Sequence, residues 1–512
     1  MNADLVIRNG SIVTTSDIWP CCDIAILNGT IVAVGINIPV SEGVREIQAD
    51  GAYVTPGGVD SHVHLSLYEA SADALKTVPT DGSIPNMDDY TGDTYETGTR
   101  SAVAGGTTTV ITFASQYRGD DSLIPVIEEY HKLATGSSYC DYAFHVIISN
   151  PSQLVLQQDL KTMVENYGIT SIKVYMTYNA MALKDYHILN LMSAARELGI
   201  LTMVHAENAD AVHWMIERLE AKGLTTPYYH GASRPPIVEA EATYRAITLG
   251  QLTDAPILLV HVSTKSSAEL IKNAQTNILP VYAETCPQFL LLLDSMNKEG
   301  FEGAKYVCSP PIRESVTDQN SLWQGINNGT FSTIASDHAP VKLYHPNGKL
   351  RGLAHKNPAQ KNFQYIPKGL PGVETRLPLL FSEGVLAGRI TPQRFVEVTS
   401  TGPARLFGLE RKGTIAPGFD ADITIWYPQE TFQPFKLTNE MLHHAIDYTP
   451  FEGFEFKNWP SLNFDSIMMP WFFRSMLIWQ HRANENRIST TLPEFSYVAS
   501  MRIPLSKTDC PF

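Results

Sequence analysis

The sequence predicts an α/β protein: a (β/α)8 TIM barrel with a small β-sandwich domain formed by both chain ends. Three observations support this fold class. From residue 54 onward, apolar segments alternate with amphipathic segments, as in βα units around a parallel sheet. Eight apolar segments occur, matching the strand number of a TIM barrel. Short strand-like runs flank this region, so we place the sandwich in residues 1–53 and 401–512 and the barrel in residues 54–400.

The barrel strands are predicted from short apolar runs rich in β-branched residues. In order they are VTPGGVDSHVHL (54–65), TTTVITFA (107–114), YAFHVIIS (142–149), ITSIKVYM (169–176), LTMVHAE (201–207), ILLVHVS (257–263), LPVYAETC (279–286) and TIASDHAP (333–340). Amphipathic stretches between them predict helices, among them LIPVIEEYHKLA (123–134), DYHILNLMSAAREL (185–198) and SSAELIKNAQ (266–275).

The chain ends read as strands joined by tight turns. DLVIRNGSIV (4–13) and CDIAILNGTIVAVG (22–35) each contain an Asn-Gly pair, at Asn9 and at Asn28, which favours a hairpin turn. Strand character returns in GTIAPGFDADITIWYP (413–428). We therefore expect the C-terminal part to complete the sandwich begun at the N-terminus.

Composition limits the partners. The formal net charge of -15 argues against nucleic acid or an anionic membrane, which leaves a small molecule as the expected ligand. Six cysteines without CxxC spacing and the absence of a signal-peptide pattern in MNADLVIRNG favour the cytoplasm. The most apolar stretch, SIMMPWFFRSMLIW near residue 470, is broken by Pro470 and Arg474, so we expect no membrane span.

Histidines and one aspartate stand at the ends of the predicted strands, where the site of a TIM barrel is built. His62 and His64 end the first strand and point to one face, since side chains two apart do so. An HxH pair alone is often two surface histidines. However, His205 ends the fifth strand, His261 the sixth and Asp337 the eighth, which together indicate a metal site.

Lys173 lies within GITSIKVYMTY (168–178), a run otherwise typical of a buried strand. A lysine at the end of a strand can extend its ammonium to water. The alternative is that Lys173 faces the histidines. Nearby metal ions would then lower its pKa and favour the neutral amine, which can take up carbon dioxide to form an anionic N-carboxylysine that bridges two metals.

The chain resembles the dihydropyrimidinase and hydantoinase family of binuclear amidohydrolases. The resemblance runs from about residue 4 to about residue 455 and rests on PGGVDSHVHL, AGGTTTVITFA, SIKVYMTY, VHAEN, LLVHVS, YVCSPPIR, SDHAP and GTIAPGFDADITIW. It implies that a cyclic amide bond of hydantoins or dihydropyrimidines is hydrolysed by water held between two metals. Zinc is the expected metal, with manganese or cobalt as alternatives.

The same resemblance implies a role for each site residue. His62, His64 and Asp337 would bind the more buried metal, His205 and His261 the more exposed one, and carboxylated Lys173 would bridge them. Asp337 would also transfer the proton. Tyr178, whose other interpretation is a packing role, would donate to the oxyanion. Backbone groups of Ser309 and of Lys368 would form hydrogen bonds with the amide edge of the substrate. Lys368 stands where the family has asparagine.

Other activities of the same fold stay open. Allantoinase, dihydroorotase and cyclic imidase are the enzymatic alternatives, and a non-catalytic scaffold protein of this family is the remaining one. A dihydroorotase is expected to carry an arginine two residues after His64, where this chain has Ser66. An insertion, ADALKTVPTDGSIPNMDD (72–89), and a tail after about Asn458 depart from the family pattern. We expect a homo-oligomer, a tetramer or a dimer.

Overall fold

The computed structural model describes residues 2–66, 92–293, 300, 302–345, 348–350, 362–428 and 431–460. The insertion at 72–89, the stretch near residue 470 and the tail after residue 460 lie outside the described residues. Among the described residues, no helix combines the length and the apolar character needed to cross a membrane.

The strands of the described residues fall into three sheets. In chain order they are β1 (Leu5–Val13), β2 (Ile18–Leu27), β3 (Thr30–Gly35), β4 (Arg45–Gln48), β5 (Tyr53–Pro56), β6 (Gly58–Val63), β7 (Thr107–Ser115), β8 (Asp141–Ile147), β9 (Ser171–Tyr175), β10 (Leu201–His205), β11 (Ile257–Leu259), β12 (Val281–Thr285), β13 (Thr333–Ile334), β14 (Ile423–Trp426), β15 (Phe435–Lys436) and β16 (Glu455–Phe456). Strands β6 to β13 form one parallel eight-stranded sheet in sequence order.

That sheet is a barrel. Its first and last strands meet through a parallel bridge between Val63 and His338, and the His64 N–H donates to the His338 carbonyl oxygen at 2.8 Å. Every strand carries one of the eight predicted apolar segments, so the predicted barrel is confirmed. The prediction of these strands from the sequence is correct because parallel strands that are covered on both faces form near-continuous apolar runs.

Helices surround the barrel. They are α1 (Tyr95–Ala104), α2 (Ile124–Ala134), α3 (Leu160–Tyr167), α4 (Asp185–Glu197), α5 (Ala209–Glu220), α6 (Tyr228–Ala232), α7 (Pro236–Thr253), α8 (Lys265–Thr276), α9 (Pro287–Leu291), α10 (Val316–Asn327), α11 (Arg376–Leu379), α12 (Pro392–Val396) and α13 (Gly402–Leu406). The large core between helices and strands includes Ile172, Val204 and Ile271. A second core fills the barrel interior and includes Ile111, Met203 and Phe407.

The remaining strands include a six-stranded sheet built from both chain ends. Strand β14 pairs antiparallel with β5, which pairs with β1, so the C-terminal segment is joined to the N-terminal one as predicted. Strand β5 belongs to this sheet, which therefore extends to Pro56, past the predicted boundary at residue 53. A single residue, Gly57, separates β5 from β6, the first strand of the barrel.

The two Asn-Gly pairs behave differently. Asn28 and Gly29 form the turn between β2 and β3, both with positive φ, as predicted. The predicted turn at Asn9 is wrong: Asn9 and Gly10 lie inside β1, where the register with β2 shifts. Asn9 has a φ of 55°, and a side chain at Gly10 would come within 2.5 Å of the Val54 side chain. The pair therefore forms a β-bulge. A β-bulge and a hairpin turn both use left-handed backbone, so an Asn-Gly pair fits either structure.

Candidate active site

Three of the predicted metal ligands form one buried cluster. His62 lies on β6, His64 follows that strand, and Asp337 follows β13. One ligand atom from each of the three lies within 4.8 Å of the others. The Asp337 Oδ1 atom is 3.2 Å from the Nε2 atom of His62 and 3.8 Å from that of His64. The junction of the first and last barrel strands thus gathers two imidazoles and one carboxylate.

Lys173 belongs to the same cluster. Its side chain on β9 is 1% exposed, and its Nζ atom lies 2.7 Å from the His62 Nε2 atom. The Nζ atom is also 4.5 Å from the centre of the Phe113 ring. Burial lowers the pKa of this lysine, although the neighbouring carboxylate of Asp337 opposes that shift. The ammonium therefore does not extend to water, which was the alternative interpretation of its place in the strand.

His205 and His261 stand beside this cluster. His205 ends β10, and His261 follows β11. Their ring centres are 4.4 Å apart, and the ring of His261 lies 5.5 Å from that of His62. Because the strands run parallel around the barrel, residues far apart in sequence meet at the same end. All six predicted ligands are thus gathered in one buried region.

The chemical state of the imidazoles fits a metal site. The Nδ1 atom of His64 and both ring nitrogens of His261 are buried and have no hydrogen-bond partner among the described residues. Burial, followed by nearby positive groups, holds the pKa of His62, His64 and His261 well below the ordinary value. Unpaired buried nitrogens are costly, and the neutral imidazole is the form that binds metals. Bound cations would satisfy these atoms.

Two buried glutamates that we did not predict contact the histidines. The Glu284 Oε1 atom on β12 accepts from the His62 Nδ1 at 2.6 Å, which leaves Nε2 facing the cluster. The Glu207 Oε2 atom accepts from the His205 Nε2 at 2.8 Å. Both stand in apolar runs, in YAET and VHAE, and a charged residue in such a run is the same signal that singled out Lys173.

His338, next to Asp337, holds the end of the barrel in place. Its Nδ1 atom accepts from the backbone N–H groups of Gly372 and Val373 at 3.1 and 3.3 Å. Its Nε2 atom donates to the Asp93 carboxylate at 3.1 Å. With both nitrogens occupied, His338 supports the segment that carries Asp337 instead of extending the ligand set.

Tyr178 lies beside the buried His205, and Ser309 is linked to the same histidine through Glu207. The Tyr178 ring centre is 5.3 Å from that of His205, and its hydroxyl forms a hydrogen bond with the Ser309 side chain. The Ser309 Oγ donates to Glu207 at 2.7 Å. Burial raises the pKa of Tyr178, so the hydroxyl keeps its proton and can act as a donor. The structure thus brings both predicted substrate contacts to the candidate ligands.

The Lys368 side chain turns to its own segment. Its Nζ atom donates to the Gln364 carbonyl oxygen at 2.7 Å. The backbone beside it lies near the site, because the Gly369 N–H donates to the Val307 carbonyl oxygen at 3.2 Å, two residues before Ser309. The predicted backbone contact at this position is therefore sterically reasonable, whereas the ammonium has a partner elsewhere.

Comparison with known proteins gives a consistent result. A profile described as "Amidohydrolase family" matches residues 53–461. The D-hydantoinase of Geobacillus stearothermophilus is 41% identical over 451 residues, which cover 88% of this chain and 88% of that protein. The D-phenylhydantoinase of Escherichia coli (strain SE11) is 38% identical over 452 residues, or 88% of this chain and 90% of that protein.

Solved structures agree with this result. A crystal structure of a D-hydantoinase has 39% sequence identity and a TM-score of 0.79, covering 89% of this chain and 92% of that one. The dihydropyrimidinase from Brevibacillus agri NCHU1002 has 38% identity, the same TM-score of 0.79 and the same coverage of 89% and 92%.

Proposed function

This chain belongs to the amidohydrolase family, and from that premise we propose that it opens the ring of hydantoins or dihydropyrimidines by hydrolysis. Water adds to a ring carbonyl carbon, the bond from that carbon to the ring nitrogen breaks, and the nitrogen takes up a proton. The product is an N-carbamoyl amino acid. The observation that carries the proposal is the meeting of six predicted ligands at one end of the barrel, in a chain 41% identical to a D-hydantoinase.

We propose that the site holds two divalent ions, zinc first, with manganese or cobalt as substitutes. His62, His64 and Asp337 would bind one ion, His205 and His261 the other, and Lys173, carboxylated on Nζ, would bridge them. Two such ions lower the pKa of water and polarise a carbonyl oxygen. The support is the burial of Lys173 and the ring nitrogens of His64 and His261 that have no hydrogen-bond partner in the described part of the chain.

The protein side chains would perform the remaining steps. Asp337, whose carboxylate lies between His62 and His64, takes the proton of the attacking water and passes it to the departing ring nitrogen. Tyr178 donates its hydroxyl proton in a hydrogen bond to the oxyanion that forms on the attacked carbonyl. The backbone at Ser309 and at Lys368 binds the amide edge of the ring and orients it.

We propose a preference for neutral rings over anionic ones. Ser66 stands where a dihydroorotase is expected to have arginine. The Ser66 backbone N–H donates to the Asp93 carbonyl oxygen at 2.8 Å. The Lys368 ammonium is bound to Gln364. Burying a carboxylate without a partner is costly, and even about 3 kcal/mol corresponds to more than 10²-fold selectivity.

The test is a hydrolysis panel under fixed zinc loading. We expect kcat/KM for dihydrouracil or a 5-substituted hydantoin to exceed that for dihydroorotate by more than about 10²-fold. Allantoin and a cyclic imide complete the panel. Faster hydrolysis of dihydroorotate, allantoin or the imide would contradict the proposed substrate class. Metal content of two per chain with no hydrolysis of any ring would instead favour the scaffold alternative.

We further propose that the protein is a homo-oligomer, a tetramer or a dimer, and that it works in the cytoplasm. Free thiols at Cys21, Cys22, Cys140, Cys286 and Cys308 suit a reducing compartment. Light scattering of the purified protein measures the mass of the assembly, and a monomer at micromolar concentration would contradict the oligomer.

A further inference from the structure

Glu207 occupies an unusual position between three functional groups. It is fully buried, two residues after His205. Its Oε2 atom accepts from the His205 Nε2 at 2.8 Å and from the Ser309 Oγ at 2.7 Å. Its Oε1 atom lies 3.5 Å from the Arg234 Nε. One carboxylate therefore contacts a candidate metal ligand, a candidate substrate contact and a buried cation.

The contact with His205 selects which ring nitrogen can bind a metal. A neutral imidazole carries one proton, and the carboxylate keeps that proton on Nε2. The lone pair on Nδ1 is then available. At His62 the selection is reversed, because Glu284 contacts Nδ1 and leaves Nε2 facing Lys173. The two carboxylates thus select opposite nitrogens of the two histidines.

The contact with Ser309 continues into a closed ring of polar contacts, in which an ion pair between Arg234 and Glu207 completes the hydrogen bonds. The His230 Nε2 donates to the Cys308 carbonyl oxygen at 2.6 Å, directly before Ser309. The Arg234 Nη1 lies 3.3 Å from the His230 Nδ1, and this arginine also faces Glu207. The ring therefore runs from Glu207 through Arg234 and His230 to the Ser309 segment and back. Displacing the carboxylate would release both His205 and the backbone at Ser309.

We infer that Glu207 is a positioning residue that couples the second metal to substrate binding, by holding the His205 imidazole and the Ser309 segment with one carboxylate. The inference rests on the proposed function, since it takes His205 as a metal ligand and Ser309 as a substrate contact. A buried acid that only neutralises Arg234 would affect stability but would leave metal affinity and KM unchanged in the protein that folds.

Glu207→Gln in the full-length protein is the test. Zinc is removed with a chelator and titrated back while binding is measured by calorimetry and metal analysis. We expect the wild type to bind two zinc ions. We expect the variant to keep one with unchanged affinity and to bind the second at least about 10-fold more weakly, as is typical when a partner of a metal ligand is lost.

The substrate arm is measured separately. We expect Glu207→Gln to raise KM for a 5-substituted hydantoin at saturating zinc. Ser309→Ala keeps the backbone and the metal ligands, so it should leave zinc affinity unchanged and raise KM by roughly 3- to 10-fold, the value of one hydrogen bond. In the double variant the Ser309→Ala change should add less than it does alone, because replacing the carboxylate with a neutral amide already weakens the hydrogen bond from the Ser309 hydroxyl.

Glu217→Gln is the matched control. Glu217 also pairs with a histidine, His213, at 3.2 Å, but both side chains are exposed. We expect wild-type zinc binding and KM for it. If Glu207→Gln does not fold, Glu207→Asp keeps the charge against Arg234 and, being shorter, should show the same losses.

The outcomes separate the two proposals. A wild type that binds fewer than two zinc ions, or opens no ring in the panel, contradicts the proposed function. A wild type with two zinc ions, beside a folded Glu207 variant with wild-type affinity for both and wild-type KM, contradicts the coupling by Glu207 alone.

Discussion

Three residues of the proposed site adopt backbone angles that side chains rarely adopt. Tyr178, His261 and Asp337 have φ values of 69°, 42° and 48°. The left-handed region costs free energy for residues other than glycine, more for tyrosine than for aspartate or histidine. Each of the three comes just after a barrel strand, where the chain must turn while its side chain stays in the site. Strain concentrated at these positions is consistent with a functional role.

Lys173→Ala should abolish the bridge between the two proposed metals. We expect fewer than two zinc ions per chain and no measurable ring opening, because the remaining ligands are too few for two closed sites. A short carboxylic acid such as formate can occupy the vacated space and partly restore both. Metal analysis and turnover of dihydrouracil measure the effect, with the exposed Lys265→Ala as control. Full activity in Lys173→Ala would rule out the carbamate.

Tyr178→Phe should separate oxyanion binding from metal binding. Removing one donor at a developing oxyanion lowers kcat by roughly 10²-fold or more. Zinc content should remain that of the wild type, because the hydroxyl contacts Ser309 and no candidate ligand is removed. Tyr186→Phe, on an exposed side chain, serves as control. A normal kcat would assign Tyr178 to packing.

At the scale of elements, one buried ion pair joins the first and last barrel strands. The Arg376 Nε on α11 lies 3.2 Å from Asp60 on β6, and its Nη1 donates to the Ile334 carbonyl oxygen on β13 at 3.0 Å. The Asp60 carboxylate in turn accepts from the Ser336 N–H at 3.0 Å. Ser336 directly precedes Asp337, and Asp60 lies two residues before His62. The ion pair between Asp60 and Arg376 therefore sets the spacing between His62 and Asp337 in the cluster.

Arg376→Met should therefore destabilise the barrel strongly. Leaving a buried carboxylate without its cation costs about 3–5 kcal/mol, whereas an exposed ion pair contributes at most about 1 kcal/mol. The exposed Arg405, which pairs with Glu397, provides the control Arg405→Met. Urea unfolding followed by tryptophan fluorescence measures both. A shift of the midpoint no larger than that of the control would contradict the role of the pair.

Elements were predictable from sequence where one local signal decided them. The eight barrel strands are mostly apolar runs rich in β-branched residues and could be recognised individually. The Asn9-Gly10 bulge could not be distinguished from the Asn28-Gly29 turn, because both need left-handed backbone and only the pairing of β1 with β2 separates them. The ligands were predicted from histidines and one aspartate that recur at the ends of the predicted strands. That pattern is visible in the sequence itself.

The supporting contacts of the site were not predictable in the same way. Glu207 and Glu284 carry a local signal, a charge in an apolar run, but their partners are set by the fold. Glu284 contacts His62 across 222 residues, and Ser309 contacts Glu207 across 102 residues. Hydrogen bonds between such distant segments depend on the register of the barrel strands. That register cannot be inferred from a single sequence.

At the scale of the whole molecule, Lys412 connects the barrel to the six-stranded sheet. Its ammonium contacts Asp141, the first residue of β8, and lies 3.0 Å from Asp420 and 2.7 Å from Asp422, just before β14. Burial raises the pKa of Asp422 to about 6, and the Lys412 ammonium opposes that shift. Three carboxylates around one cation make this junction sensitive to loss of the lysine.

Lys412→Met should destabilise the protein more at pH 8 than at pH 5. An acid whose pKa is raised in the folded state stabilises it at low pH, and that contribution is lost as pH rises from the ordinary 3.8 through the folded value of about 6. Without the ammonium the pKa of Asp422 rises further, so the loss extends to higher pH, at roughly 1.4 kcal/mol per pH unit for one proton. Urea midpoints at both pH values measure the effect against Lys161→Met, an exposed lysine paired with Glu165. Equal destabilisation of Lys412→Met at the two pH values would show that the carboxylates at this junction do not depend on the lysine for their charge.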